Sequence, residues 1–207
     1  MKQYLIFLLI GFAILTQSNS CKKSKPIIAE PIYNSEFPNN IGTFWKYKVY
    51  DSVSANLDTV TIKVIGKANL DNGEPAIIWE ITSLYNTTTT NYVSNKSDGI
   101  RIYNSAISST GALKRYLFPL ILGSNWTTRS TIDTNKVVQV GTINVIAGTF
   151  INGYRIKRDV VIPPGFNPIK EDEWFVQNIG MVSRYYFEIG PGYVIKNKWE
   201  LLSYLIK

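Results

Sequence analysis

Few side chains in this chain of 207 residues are of types that do chemistry. It contains no histidine, which removes the commonest general base, the usual metal ligand and every serine-histidine triad. The densest acidic group is Glu171-Asp172-Glu173, close to a proline-rich stretch. Two such carboxylates would serve to flank a glycosidic bond or to hold Ca²⁺.

The spacing of this acidic group argues against both roles. Adjacent residues of a strand point to opposite faces, and three consecutive acids match no calcium-binding loop. We therefore predict a solvated loop for Glu171-Asp172-Glu173, and exposed strand positions for the isolated Glu80 and Glu200. The sequence predicts no catalytic residue, no metal site and no cofactor, and it contains no glycine-rich loop placed to bind a nucleotide phosphate.

Cys21 is the single cysteine of the chain and follows an apparent export signal. Lys2 supplies the positive start, and residues 4–15 form an almost unbroken apolar run that is too short to span a bilayer comfortably. This arrangement resembles bacterial lipoprotein precursors, in which the signal peptide, here residues 1–20, is cut before a cysteine that then carries a diacylglycerol. The alternative is an ordinary secretory signal with an incidental cysteine.

A basic tether, residues 21–32, follows the predicted cleavage site. Lys22, Lys23 and Lys25 would lie against anionic head groups, or the segment would be a solvated linker. The formal net charge is +7, and these three lysines account for part of it. The rest of the chain is therefore mildly basic, which argues against a nucleic-acid partner. The predicted partner is the membrane, reached through a lipid on Cys21, and the predicted location is the outer membrane.

The remaining residues, 33–207, are expected to form one all-β domain. Apolar residues alternate with polar ones along many short segments, as in Trp45, Tyr47 and Val49, and turn signals separate these segments. Outside the signal peptide, no stretch sustains a convincing helical period. We predict about ten mainly antiparallel strands in a strongly curved up-and-down sheet or unclosed barrel.

One motif occurs twice. Residues 37–45 and 118–126 both follow the pattern Phe-Pro-x-x-(Ile/Leu)-Gly-x-x-Trp. Proline halts a preceding strand, glycine permits a turn, and tryptophan opens a new alternating run. We therefore predict two meander halves, about 37–103 and 118–207, joined into one sheet and connected by a crossing segment at 104–114. Gly42 and Gly123 should both lie in turns, and the paired aromatic residues should be buried alike.

The paired motifs carry a resemblance, together with residues 145–150 and 173–182. They resemble a family of uncharacterised Gram-negative envelope lipoproteins whose fold is similar to the unclosed, strongly curved barrel of lipoprotein carriers such as LolA and LolB. The resemblance implies this architecture and a membrane anchor. The helices that plug the cavity of the carriers are not evident here.

The function that this pattern favours is non-enzymatic binding of an apolar or amphipathic ligand, such as a lipid, in a concave sheet. Some of the five tryptophans would then line a cup, whereas the plainer interpretation places them in a filled core. The first alternative function is a protein interaction or structural module of an outer-membrane complex. The second is a glycan-binding or glycan-hydrolysing surface lipoprotein that uses Glu171-Asp172-Glu173. Sequence alone identifies no ligand-binding residue.

Overall fold

The structure is a computed structural model that describes residues 34–52, 55–83, 87–106, 111–128, 133–160, 169–190 and 192–207. The predicted signal peptide, Cys21 and the tether lie outside the described residues. The described ranges contain a short 3-10 helix, Asn34–Glu36, and twelve strands. Within these ranges, no helix has the length and apolar character needed to cross a membrane.

The twelve strands fall into two consecutive sets. The first set is β1 (Phe44–Asp51), β2 (Asn56–Asn69), β3 (Pro75–Thr82), β4 (Thr88–Lys96), β5 (Gly99–Tyr103) and β6 (Lys114–Leu117). The second set is β7 (Asn125–Thr127), β8 (Asp133–Val145), β9 (Gly148–Val160), β10 (Ile169–Val176), β11 (Gly180–Gly190) and β12 (Gly192–Leu205).

All twelve strands join one antiparallel sheet in the order β6-β5-β4-β3-β2-β1-β12-β11-β10-β9-β8-β7. Each set is an up-and-down meander, and the two meanders pair through β1 and β12. The sheet curls into a nearly closed barrel whose edge strands, β6 and β7, face each other across a seam. The predicted all-β, strongly curved antiparallel fold is confirmed. The predicted number of strands, about ten, is lower than the twelve observed. The reason is that β6 and β7 have only four and three residues, too few for a visible alternation.

Strand β1 shows why alternating sequence gives this barrel. Trp45, Tyr47 and Val49 are buried on the inner face, while Lys46 and Lys48 between them are exposed. Side chains two residues apart share a face, so each strand contributes an apolar row to the interior and a polar row to water. The burial of these rows is the main favourable contribution to the stability of the barrel.

The repeated motif places its glycine and its aromatic residues alike in both copies, although the Phe118-Pro119 peptide bond is cis and the Phe37-Pro38 bond is not. Gly42 N–H donates to Val64 O at 2.9 Å, and Gly123 N–H donates to Val137 O at 2.9 Å. The two glycines have φ of 92° and 89°, in the left-handed region that favours glycine. Phe37 and Phe118 are buried to similar extents, as are Trp45 and Trp126. The predicted equivalence of the two motifs is therefore confirmed.

The predicted crossing segment is wrong. Residues 104–113 connect β5 to β6, which pair within the first meander. The chain passes between the meanders at residues 118–124, inside the second motif. The serine- and alanine-rich composition of 104–114 marks a loop, but it holds no information on which strands the loop connects.

The two motifs also define one end of the barrel. Alternation along the sheet makes β1 and β7 run in the same direction, so both motifs enter the barrel at the same end. There the rings of Phe37, Phe118 and Phe175 meet, with centroid distances of 5.8 to 6.2 Å. We call this the closed end. The end where β8 begins and β9 ends is called the far end.

Candidate ligand-binding cavity

A cavity of about 500 Å³ lies inside the barrel. Its lining runs from Phe37 at the closed end to Asp133 and Val160 at the far end. The part near the closed end, called the lower part, is aromatic, and the part toward the far end, called the upper part, is charged. The cavity therefore has an amphipathic wall.

The aromatic part consists of packed rings with few polar atoms left to satisfy. Phe37 stacks on Trp79 at 5.9 Å between centroids, and Trp79 lies 5.3 Å from Trp45. The indole N–H of Trp45 donates to Ile179 O at 2.5 Å, and that of Trp79 donates to Asn39 Oδ1 at 2.7 Å. Because their donors are used within the protein, these rings offer apolar surface to the cavity.

The charged part, which we call the ionic wall, contains three cations and three carboxylates from five strands: Lys114, Arg158, Arg184, Asp133, Glu171 and Glu173. Glu171 is central, since it lies 3.1 Å from Lys114 Nζ, 2.7 Å from Arg184 Nη2 and 3.4 Å from Arg158 Nη1. The formal charges of the ionic wall cancel.

The remaining members of the ionic wall complete the network. Arg158 pairs with Asp133 at 2.7 Å, and Lys114 Nζ also contacts Glu173. The hydroxyl of Tyr116 donates to Glu173 Oε2 at 3.1 Å. Removing either member of such a buried pair leaves an uncompensated charge, so these groups are expected to hold one another in place.

The predicted solvated loop at Glu171-Asp172-Glu173 is wrong. These residues lie within β10, and their exposures are 5%, 8% and 2%. Glu171 and Glu173 share the inner face because they are two residues apart. Asp172 points to the opposite face, where Arg155 Nη2 lies at 2.5 Å. Burial of the acids is stabilised by cations that are remote in sequence and adjacent in the sheet.

Electrostatics keep Glu171 and Arg184 charged and Tyr116 neutral. Burial alone would raise the pKa of Glu171, but Lys114, Arg184 and Arg158 outweigh burial and hold the pKa well below its usual value. Burial likewise acts to lower the pKa of Arg184, but Glu171 and Glu173 raise it above its usual value. Burial raises the pKa of Tyr116, and the charge of Glu173 raises it further, so its hydroxyl stays neutral.

This arrangement predicts acid sensitivity. The pKa of Glu171 is lower in the folded chain than in the unfolded chain, where it is near 4.5. Its stabilising contribution is therefore present above about pH 4.5 and is lost as the pH falls below that value. We expect urea unfolding to show a loss of about 1 kcal/mol or more between about pH 5 and pH 3.

A matched variant isolates the share of Glu171 in that loss, because Glu74 and Asp98 also have lowered pKa values. Glu171→Gln should be less stable than the parent protein at neutral pH and should lose less stability between about pH 5 and pH 3. Equal pH dependence in the two proteins would contradict the assignment of the acid sensitivity to Glu171.

The other residues singled out in the sequence fall in several places. Glu80 and Glu200 are partly exposed on their strands, and Glu200 lies 3.0 Å from Lys198. The tryptophans divide between the two interpretations: Trp45, Trp79 and Trp199 line the cavity, whereas Trp126 and Trp174 are buried elsewhere. Lys114, Arg158, Arg184 and Asp133 were not identified from the sequence. Cys21 lies outside the described residues.

Comparison with solved structures finds two chains that share the fold of this protein. One neighbour, from Bacteroides fragilis, is described as exported and as having a YmcC-like fold; its TM-score is 0.54 at 13% identity. Another, from Parabacteroides distasonis, is described as a lipoprotein; its TM-score is 0.51 at 14% identity. Each comparison covers 85% of this chain and 100% of the other.

At these identities the likeness concerns the fold alone. Neither neighbour is described as a carrier of the LolA or LolB kind, so that part of the resemblance stays a prediction. No protein-family model matches the chain, and no curated protein matches it.

Proposed function

We propose that the protein is a lipid-anchored envelope protein of a Gram-negative bacterium that binds an amphipathic ligand inside its barrel without catalysing a reaction. The observation that carries this proposal is the cavity of about 500 Å³, aromatic in its lower part and charged in its upper part. Small-molecule sites usually have volumes of about 300–1,000 Å³ and combine apolar walls with a few placed polar groups.

The anchor is supported by two independent observations. The sequence places Cys21 directly after an export signal, and one solved neighbour is described as a lipoprotein while another is described as exported. Two acyl chains on a cysteine suffice for stable attachment, whereas a single chain gives marginal binding. The proposed location is the outer membrane.

The charge of the ionic wall indicates the chemical class of the ligand. Three cations and three carboxylates cancel, so a ligand with a net charge would enter the barrel without a net counter-charge. An uncharged or zwitterionic polar group would instead accept hydrogen bonds from Arg184 or Lys114 and donate to the carboxylates. We therefore propose a ligand with an apolar tail and a polar end of zero net charge.

The chemistry of the carboxylates supports binding rather than hydrolysis. A general acid for glycoside cleavage needs a raised pKa, whereas three cations hold the pKa of Glu171 low. Glu173 is similarly engaged by Lys114 and Tyr116. These contacts suit groups that position a polar ligand, and the low pKa of Glu171 leaves that carboxylate without a proton to give.

Native mass spectrometry of the full chain, extracted from envelopes in mild detergent, tests both parts of the proposal. We expect the mass of residues 21–207 increased by a lipid, together with an adduct that dissociates at higher collision energy. Lysophosphatidylethanolamine, which is zwitterionic, should bind more tightly than lysophosphatidylglycerol, which is anionic. A free Cys21 thiol would refute the anchor. Absence of any bound or added lipid would refute the cavity function.

A pair of variants links binding to the cavity. Ile81 lines the cavity and is partly exposed, so Ile81→Trp should fill space without a severe clash and weaken ligand binding at least about tenfold. Val138 does not line the cavity and is 37% exposed, which makes Val138→Trp the matched control. Equal binding by both variants would place the ligand elsewhere.

A further inference from the structure

The closed end exposes large apolar side chains on both copies of the repeated motif. Ile41 is 52% exposed and Leu122 is 60% exposed, and they occupy the same motif position. Ile121, next to Leu122, is 47% exposed. We call these three residues the apolar rim. Apolar side chains at equivalent positions of two turns at one end of the barrel offer two points of contact to a broad apolar surface.

The apolar rim is held rigidly by the turns that carry it. Thr43 N–H donates to Asn40 O at 3.0 Å, and Ser124 N–H donates to Ile121 O at 3.0 Å. Beneath the turns, the rings of Phe37 and Phe118 pack edge to face, with their centroids 6.2 Å apart. The exposed side chains therefore project from a fixed base at the closed end.

The chain enters the barrel at this same end. Asn178, in the turn between β10 and β11, donates its N–H to Glu36 O at 3.2 Å. Asn178 follows the end of β10, which lies at the closed end with Phe175. Twelve residues, 22–33, separate Cys21 from Asn34, and their reach is at most about 40 Å. An anchor at Cys21 would thus hold the closed end near the bilayer.

We infer that the apolar rim inserts into the membrane surface to which Cys21 is attached, so that the closed end of the barrel faces the membrane. This inference rests on the proposed anchoring. The tether raises the effective concentration of the rim at the surface and so strengthens an insertion that the unanchored barrel would also make. The far end of the cavity, with Asp133 and Val160, then faces away from the membrane.

The charge beside the apolar rim favours lipid over a second copy of the chain. Lys207 is exposed, and its side chain lies against Gly42, next to Ile41 of the rim. Lys22, Lys23 and Lys25 precede the same end of the barrel. Two copies that met through this surface would bring like charges together, whereas anionic head groups complement them.

A single-cysteine experiment tests the inference independently of the anchor. The probe is the full mature chain, residues 21–207, with Cys21→Ser and Leu122→Cys, labelled with an environment-sensitive dye. With vesicles of three parts phosphatidylethanolamine and one part phosphatidylglycerol, we expect a blue shift of the dye emission. When phosphatidylglycerol is omitted, the lipid concentration that gives half of the full shift should rise at least about threefold.

Leu57→Cys, also with Cys21→Ser, is the matched control. Leu57 is 55% exposed and lies at the start of β2, at the far end of the barrel, so its dye should not shift. Equal shifts at positions 57 and 122, or no shift at 122, would overturn the inference. A shift at 122 without vesicles that grows with protein concentration would assign the rim to a second copy and also overturn it. Since Cys21 is absent, none of these results depends on whether the anchor exists.

Discussion

Replacing Glu171 by leucine is expected to lower the free energy of unfolding by about 3–5 kcal/mol, the range for breaking a buried ion pair from one side. Glu171 is 5% exposed and pairs with Lys114, Arg158 and Arg184. Without it, three cations face the two carboxylates Asp133 and Glu173 inside the barrel. Urea unfolding at neutral pH, followed by tryptophan fluorescence, measures the loss.

A double variant separates loss of attraction from excess charge. In Glu171→Leu with Arg184→Leu the formal charges cancel again, so the double variant should lose less stability than the sum of the two single variants. Asp159→Ala is the control for a surface ion pair, because the side chains of Asp159 and its partner Lys170 are 51% and 40% exposed. It should lose about 1 kcal/mol or less. Additive losses in the double variant would contradict a coupled ionic wall.

Truncating Trp126 to alanine should cost about 3–5 kcal/mol, as should Trp45→Ala, because both remove a large buried ring. Trp126 lies in the three-residue β7, where neighbouring strand contacts are few. Its indole N–H donates to Arg115 O at 2.8 Å, and Arg115 Nη1 donates to Thr127 O at 3.3 Å. These two bonds join β6 to β7, so Trp126 holds the seam of the barrel as well as filling its interior.

Two further variants bring out this double role. Trp126→Phe keeps an aromatic ring but loses the bond to Arg115 O, and we expect an intermediate loss of about 1–2 kcal/mol. Tyr50 is 42% exposed on β1, so Tyr50→Ala should lose about 0.5 kcal/mol or less. Chemical denaturation of each variant gives the comparison. A small loss for Trp126→Ala beside a large loss for Trp45→Ala would show that the two motif copies differ energetically.

Much of the barrel follows from local sequence because its determinants are local. Alternation along Trp45, Tyr47 and Val49 fixes both strand state and face. The glycine of each motif fixes a turn, and the repetition of the motif predicts that the turns and buried aromatic residues of the two copies are equivalent. The short β6 and β7 have no such signal. Asn152-Gly153 has a sequence typical of a turn but lies within β9, where Asn152 has a φ of 58° at an irregular register. Pairing with β8 decides that outcome.

The ionic wall could not be predicted because no local pattern contains it. Its six residues come from five strands, and Lys114 and Glu173 are 59 positions apart. Glu171 and Glu173 share a face with Phe175, an alternation that does place them inward once β10 is known to be a strand. The proline-rich stretch before Ile169 favoured a loop, and a charged group inside a barrel is stable only beside cations that the sheet supplies. Those neighbours follow from topology, which the sequence pattern leaves open.

The pairing of β1 with β12 has a consequence for chain connectivity. From β7 to β12 and on through β1 to β6, spatial neighbours would follow one another in an uninterrupted series if the chain ran from Lys207 into Asn34. The carboxyl end of β12 is close to the segment that leads into β1, since Asn40 Nδ2 donates to Lys207 O at 2.7 Å. A circular permutant opened between Leu122 and Gly123 would therefore keep every strand pair and every turn but one. The native strand order is thus a circular permutation of a simple twelve-strand meander. In that meander β12 and β1, which are most distant along the native chain, would be consecutive strands of a hairpin.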